Sequence, residues 1–338
     1  MIASRFHRSL GPGRFHRLVV LLLLALTVSA AACAEETSVV VDGTTGMVLS
    51  EHRADDPHAP ASLTKMMTMY LAFQALRDGR LKMNEKMRVS AHAAGMAPTK
   101  LGLRAGQTIT VHDAILGMIT KSANDAATVV AERLGHGSEA RFVDAMNAQA
   151  LLLGMGHTHF TNASGLPGGD ETTTARDMSR LAMALYRDFP ARARLFATTR
   201  FRFRGRLVRG HNHLMARYPG MDGLKTGYTV AAGFNLASAA VRHGHRLFGV
   251  VLGGVSWRAR DHRMAELLDR GFADRAREAA VFASASRPRA PRHGLAHRVL
   301  DALSPVGAVE AETLRPPPLR VDVPRSTHPV KVQLPPAR

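Results

Sequence analysis

Pro60-Ala61-Ser62-Leu63-Thr64-Lys65-Met66-Met67 runs into a series of helix formers through Met69, Leu71, Ala72, Ala75 and Leu76. Pro60 favours an extended approach, and the apolar spacing after Ser62 predicts a helix. Ser62 then sits at or just before the helix N-terminus, with Lys65 one turn later on the same face. A serine hydroxyl is a poor nucleophile until a base takes its proton. A lysine can be that base only if burial and cationic neighbours lower its pKa. The partial positive charge of a helix N-terminus disfavours the ammonium and favours an oxyanion developing near Ser62. Taken alone, the stretch reads equally well as an N-cap serine followed by a solvated lysine.

Working outward, Thr37 to Val41 and Met47 to Ser50 predict a hairpin around the turn Asp42-Gly43-Thr44-Thr45-Gly46. Thr108 to Val111 predicts a short strand. Thr110 to Asp113 resembles a capping box opening a helix over Ala114–Ile119. Ser122 and Asn124 fall where that helix ends and the next begins, either as a turn with a cap or as a loop pointing a hydroxyl and an amide the same way. Residues 138–156 and a segment from Thr174 predict two more helices. Gly223–Thr229, Phe234–Val241 and Leu247–Leu252 predict strands, and Asp261–Arg275 a last helix. Strands at both ends and helices between them predict a mixed α/β (α+β) fold, with one antiparallel sheet formed from both ends of the domain.

The 338 residues are 46% hydrophobic and 21% charged, which is globular composition. The net charge is +18, but arginine is spread along the chain and aromatics are 5%, so nucleic acid is not an expected partner. Residues 1–34 read as an export signal: Arg5, Arg8, Arg14 and Arg17, then an apolar run from Leu18 to Val28, then Ala32-Cys33-Ala34 as a cleavage site. An uncleaved anchor is the alternative, and a lipobox at Cys33 is weakened by Ala30. Cleavage removes the single cysteine and leaves an exported chain without a disulfide. Residues 35–285 are the expected catalytic domain, and 286–338 a Pro/Arg-rich tail too poor in apolar runs to pack. His157-Thr158-His159 lacks a third ligand at useful spacing, so no metal or other cofactor is expected.

Three motifs stand in order: Ser62-x-x-Lys65, Ser122-x-Asn124 and Lys225-Thr226-Gly227. Penicillin-binding proteins and class A β-lactamases carry such a set. With their flanks, Pro60–Thr68, Ser122–Ala126, Asp222–Thr229 and Ala232–Leu236, they resemble the low-molecular-mass D-alanyl-D-alanine carboxypeptidases, relatives of penicillin-binding proteins 5 and 6. The resemblance spans roughly residues 37–275 and implies the DD-peptidase/β-lactamase fold. It implies that Ser62 attacks the carbonyl between two D-alanines of a peptidoglycan stem peptide and that Lys65 is its base. Ser122 then relays a proton to the leaving amine, and Asn124 positions the peptide. Lys225 and Thr226 hold the terminal carboxylate, Gly227 lets substrate lie along the strand, and the N–H groups of Ser62 and Tyr228 form the oxyanion hole. β-Lactams are implied as covalent inhibitors. Tyr228 stands where several relatives have His.

A class A β-lactamase needs a deacylating glutamate in a Glu-x-x-x-Asn loop between the second and third motifs. Glu132, Glu139 and Glu171 lie in that interval, and none has Asn four residues on. A DD-endopeptidase could use the same site on cross-linked peptides. A non-catalytic wall-binding relative is disfavoured because Ser62, Lys65 and Lys225 are all present. The excess of arginine over acids in the tail predicts weak association with membrane lipid or anionic wall polymer in the periplasm.

Overall fold

The computed structural model describes residues 35–285; the expected export signal (1–34) and tail (286–338) lie outside them. The chain opens with the expected hairpin, β1 (Thr37–Asp42) and β2 (Val48–His52). Asp42 Oδ1 closes its turn by accepting from the backbone N–H groups of Thr44 and Thr45. A 3-10 turn, Ala61–Thr64, then feeds α1 (Lys65–Arg77). β3 (Lys86–Arg88) follows, then α2 (Ala91–Gly95) and β4 (Thr108–Thr110), which pairs with β3. The helical middle is α3 (Val111–Thr120), α4 (Asn124–Leu134), α5 (Glu139–Leu152) and α6 (Ala175–Asp188). Thr110, Ser138 and Thr174 cap α3, α5 and α6 by accepting from the N–H three residues on, as the sequence signals require. α7 (Pro190–Ala193) leads to a two-stranded ribbon, β5 (Arg200–Phe203) and β6 (Arg206–Arg209). β7 (Met221–Thr229), β8 (Gly233–Arg242) and β9 (His245–Gly254) complete the main sheet, and α8 (Trp257–Ala285) follows.

The main sheet has the order β2-β1-β9-β8-β7, antiparallel throughout, so strands from both ends of the domain meet at β1 and β9. Alternation along β1 sorts its side chains. Val39 and Val41 join the large core shared with α1, α3, α4, α5 and α6, whereas Val40 joins Leu247, Val251, Met264 and Leu268 under α8. Gly249 lets α8 approach: a Cβ there would sit 2.5 Å from Met264 Sδ.

Two elements depart from expectation. The last helix begins at Trp257, before Asp261, and runs past Arg275 to Ala285. Ser256 starts it by accepting from the Ala259 N–H, and half of its residues past Arg275 are alanine, which favours helix. The β5–β6 ribbon was not anticipated, although Arg200-Phe201-Arg202-Phe203 has the period-two alternation of a strand and Arg204-Gly205 supplies the turn.

Candidate active site

The predicted site residues converge on one cleft of about 390 Å³, lined by Ser62, Ser122, Asn124, Thr226, Gly227 and Tyr228. Three elements deliver them: the 3-10 turn before α1, the α3–α4 junction, and β7. The serine turn is strained and is held in place by hydrogen bonds. Ala61 has φ 49° and Ser122 φ 58°, left-handed conformations that non-glycine residues adopt only under constraint. Asn235, fully buried on β8, supplies much of it: Nδ2 donates to Ala59 O at 2.9 Å and Pro60 O at 3.2 Å, while Oδ1 accepts from Gly253 N at 2.9 Å. His58 Nε2 lies 2.9 Å from Ala232 O, tying the same approach to the β7–β8 turn.

Lys65 is 0% exposed and begins α1. Its Nζ lies 3.1 Å from Ser62 Oγ, 2.7 Å from Asn124 Oδ1 and 2.5 Å from Ser164 O. Burial, and then the Lys225 cation, hold this amine well below the usual lysine range. A neutral amine has two N–H donors and one lone pair. Asn124 and Ser164 take the donors, which aims the lone pair at the Ser62 hydroxyl. The cap reading of Ser62 does not hold, since Ser62 lies inside the 3-10 turn, which Pro60 precedes, and Thr64 holds the N-cap position of α1.

Asn124 begins α4 without acting as a cap. Its Oδ1 accepts from Lys65, and its Nδ2 donates to Ala97 O at 2.9 Å, leaving one N–H and one lone pair for a ligand. The Ser122 Oγ is buried and finds no hydrogen-bond partner among the described residues, although its side chain lines the cleft. Asp125 fixes this junction. Its carboxylate accepts from the N–H groups of Leu101, Gly102 and Leu103.

β7 behaves differently from expectation at two positions. Lys225 is 1% exposed and donates to Thr226 O at 2.6 Å, so its ammonium lies under the cleft floor while Thr226 lines the cleft. Burial, with Arg260 adding repulsion, pushes its pKa down to about 7. Gly227 permits a close approach by the chain itself: a Cβ would meet Leu63 Cδ1 at 2.9 Å and Pro60 O at 3.1 Å. Tyr228 is half-exposed at the rim, its ring 4.3 Å from that of Phe234.

Several residues escaped the sequence reading. Glu171 Oε1 accepts from Thr64 Oγ1 at 2.7 Å, and burial raises its carboxyl to about 7 against the opposing pull of Thr64 and Lys65. The loop before it is knotted by Asn162, whose Oδ1 accepts from the N–H groups of Ser164, Gly165 and Leu166. Gly165, φ 73°, lies against the serine turn, where a Cβ would come within 1.8 Å of Ala61 O. His211 and Arg260 also line the cleft. No group of three or more His, Cys, Asp or Glu side chains suited to a metal occurs among the described residues.

Residues 25–256 match the family described as D-alanyl-D-alanine carboxypeptidase. D-alanyl-D-alanine carboxypeptidase DacF of Bacillus subtilis is 34% identical over 242 residues, which is 70% of this chain and 62% of DacF. DacA of Escherichia coli is 34% identical over 244 residues, 70% of this chain and 60% of DacA. The chain thus matches about 60% of the length of these curated relatives. Among solved structures, penicillin binding protein 5 from Haemophilus influenzae superposes with a TM-score of 0.68 at 31% identity, covering 70% of each chain. Penicillin-binding protein D2 from Listeria monocytogenes, in its cefotaxime-bound form, gives 0.62 at 31% identity, covering 70% of this chain and 96% of that one. Fold, motif order and the match over most of the chain agree: this protein belongs to the D-alanyl-D-alanine carboxypeptidase family of penicillin-binding proteins.

Proposed function

We propose that the protein is a serine-type D-Ala-D-Ala carboxypeptidase that removes the terminal D-alanine from peptidoglycan stem peptides. The observation that carries this is the fully buried Lys65 amine, 3.1 Å from Ser62 Oγ with its two N–H groups already taken. Lys65 accepts the Ser62 proton as Oγ bonds to the scissile carbonyl carbon. The oxyanion rests on the N–H groups of Ser62 and Tyr228. The carbon–nitrogen bond then breaks, and the leaving amine takes a proton through the Ser122 hydroxyl, which has no hydrogen-bond partner among the described residues. Water attacks the resulting ester and releases the shortened peptide and free Ser62. The terminal carboxylate binds at Thr226, in the field of the buried Lys225 cation.

Penicillin is expected to acylate Ser62 and to persist, since the interval between the second and third motifs lacks a Glu-x-x-x-Asn sequence. The cefotaxime-bound and ampicillin-bound Listeria relatives support a β-lactam at this cleft. Export after loss of residues 1–34 would put the enzyme in the periplasm beside its substrate. No helix among the described residues is long and apolar enough to cross a membrane. The test is intact mass after incubation with penicillin. A stable adduct on the protein and none on Ser62→Ala, with D-alanine released from a pentapeptide, is the expected result. Rapid penicillin hydrolysis without an adduct would instead favour a β-lactamase.

A further inference from the structure

A cavity of about 430 Å³ lies beside the catalytic cleft, and His211, His213 and Trp257 line both. Ser62, Ser122, Asn124 and Thr226 line only the cleft. The floor of the cavity is apolar and buried: Ile119 on α3, Phe196, and Leu224 on β7. Phe196 is fixed by its neighbours, edge-on to Phe73 and stacked on Tyr186 with ring centres 6.3 Å apart. Trp257, the single tryptophan of the chain, forms one wall. Arg258 lies 4.4 Å from its ring centre and Arg217 5.7 Å. Floor and wall are therefore preformed, and the volume falls in the range of small-molecule sites.

The rest of the lining donates. Asn212 Oδ1 caps the 3-10 turn His213–Ala216 by accepting from the Leu214 N–H at 3.2 Å. Its Nδ2 is buried and has no hydrogen-bond partner among the described residues. Arg217 gives Nη2 to Asp261 Oδ2 at 2.7 Å and Nε to His213 O at 3.3 Å, while its Nη1 makes no hydrogen bond among the described residues. No carboxylate lines the cavity. An amide N–H and a guanidinium set over an aromatic and aliphatic floor fit a small molecule with an apolar body and a carboxylate head.

The group that would meet this carboxylate is tied to the serine turn. The buried Asp261 is shared by Arg217 and Arg260. Arg260 also donates Nη1 to Asn235 O at 2.9 Å, and Asn235 Nδ2 holds the carbonyls of Ala59 and Pro60. A carboxylate on Arg217 competes with Asp261 for that guanidinium. The charge of Asp261 then falls on Arg260 and draws it away from Asn235. We propose that this cavity is an effector site for a small apolar carboxylic acid, whose binding loosens the brace on the Ser62 turn and slows acylation. The binding stands apart from the reaction proposed above, and the effect on rate rests on it.

The probes are phenylbutyrate and its amide, added to the full-length protein. Trp257 emission and equilibrium dialysis read binding, and intact mass reads the rate of acylation by penicillin. The acid should bind about tenfold tighter than the amide at low salt, and should still bind the penicilloyl protein. At saturation it should slow acylation about fivefold, to a finite rate that more penicillin does not restore. Arg217→Gln should bring acid and amide to equal affinity. Ala216→Phe fills the cavity from an exposed position, so it should abolish binding and response while acylation without probe stays as it was. Five results would each overturn the effector site: no binding of the acid, equal affinity for acid and amide in the unaltered protein, unchanged binding in Ala216→Phe, slowing that excess penicillin overcomes, or a rate unmoved by saturating acid. Absence of a penicillin adduct without probe would instead overturn the acyl-transfer assignment, and the binding results would then decide the cavity alone.

Discussion

Lys65 and Lys225 are both buried amines, and the proposed chemistry asks opposite things of them. Lys65 must be neutral to take the Ser62 proton, and Lys225 must be charged to attract a carboxylate. Acylation by a carboxylate-terminated peptide should therefore rise with pH as Lys65 loses its proton. In kcat/KM it should fall again as the free enzyme's Lys225 deprotonates near 7. A profile of kcat/KM that stays flat from pH 7 to 9 would refute the second limb. Arginine cannot give up its proton, so Lys65→Arg should slow adduct formation about 10²–10⁴-fold, read by stopped-flow or intact mass. Lys225 and Glu171 leave opposite marks on stability. Lys225 has its folded-state pKa lowered from 10.5 to about 7, so its penalty is absent above 10.5 and complete below 7. Lys225→Met should raise the melting temperature at pH 6, with the gain shrinking towards pH 10, while activity is lost. Glu171 is raised from 4.5 to about 7, so it favours the folded state below 4.5 and loses that contribution as pH climbs through 7. Glu171→Gln, which keeps an acceptor for Thr64, should stabilise at pH 8 more than at pH 5. It should also shift the acid limb of the rate profile to lower pH, because one charge that favours the Lys65 ammonium is gone.

Among the elements, those with local signals were legible in advance. The hairpin turn at Asp42, the caps Thr110 and Thr174, and the three motifs at their helix and strand ends all announce themselves within a few residues. What holds them together was not legible, since it is made of contacts between distant positions. Asn235 braces Ala59 and Pro60 from about 175 residues away, and Glu171 reaches Thr64 across more than 100. The burial of Lys225 beneath Thr226 depends on how β7 packs against the serine turn, which no single stretch specifies. Asn235→Ala breaks three hydrogen bonds in a buried place and should cost about 2–4 kcal/mol in urea unfolding, with slower penicillin acylation from a loosened serine turn. An unfolding midpoint within error of the parent's would show that the brace is dispensable.

For the whole molecule, several arginines pair with internal acids, six cations line a groove beside the β5–β6 ribbon, and the sequence beyond residue 285 has more arginine than acid. That last segment, rich in Arg and Pro, is proposed to associate with anionic wall polymer or lipid. A chain ending near residue 285 should leave envelope fractions at lower salt than the full chain, and identical partitioning would reject the idea. The sheet order has another bearing. β1 is bonded along its whole length to β9, whose partners lie about 200 residues later. The sheet cannot close until nearly all of the domain is present, and such distant pairings are slow to form. A chain halted partway through synthesis or secretion therefore has Ser62 and Lys65 but neither β7 nor the brace at Asn235. The proposed hydrolase is held off by topology alone until its last strand arrives, so peptide-cutting power would first exist only where the whole chain has been delivered.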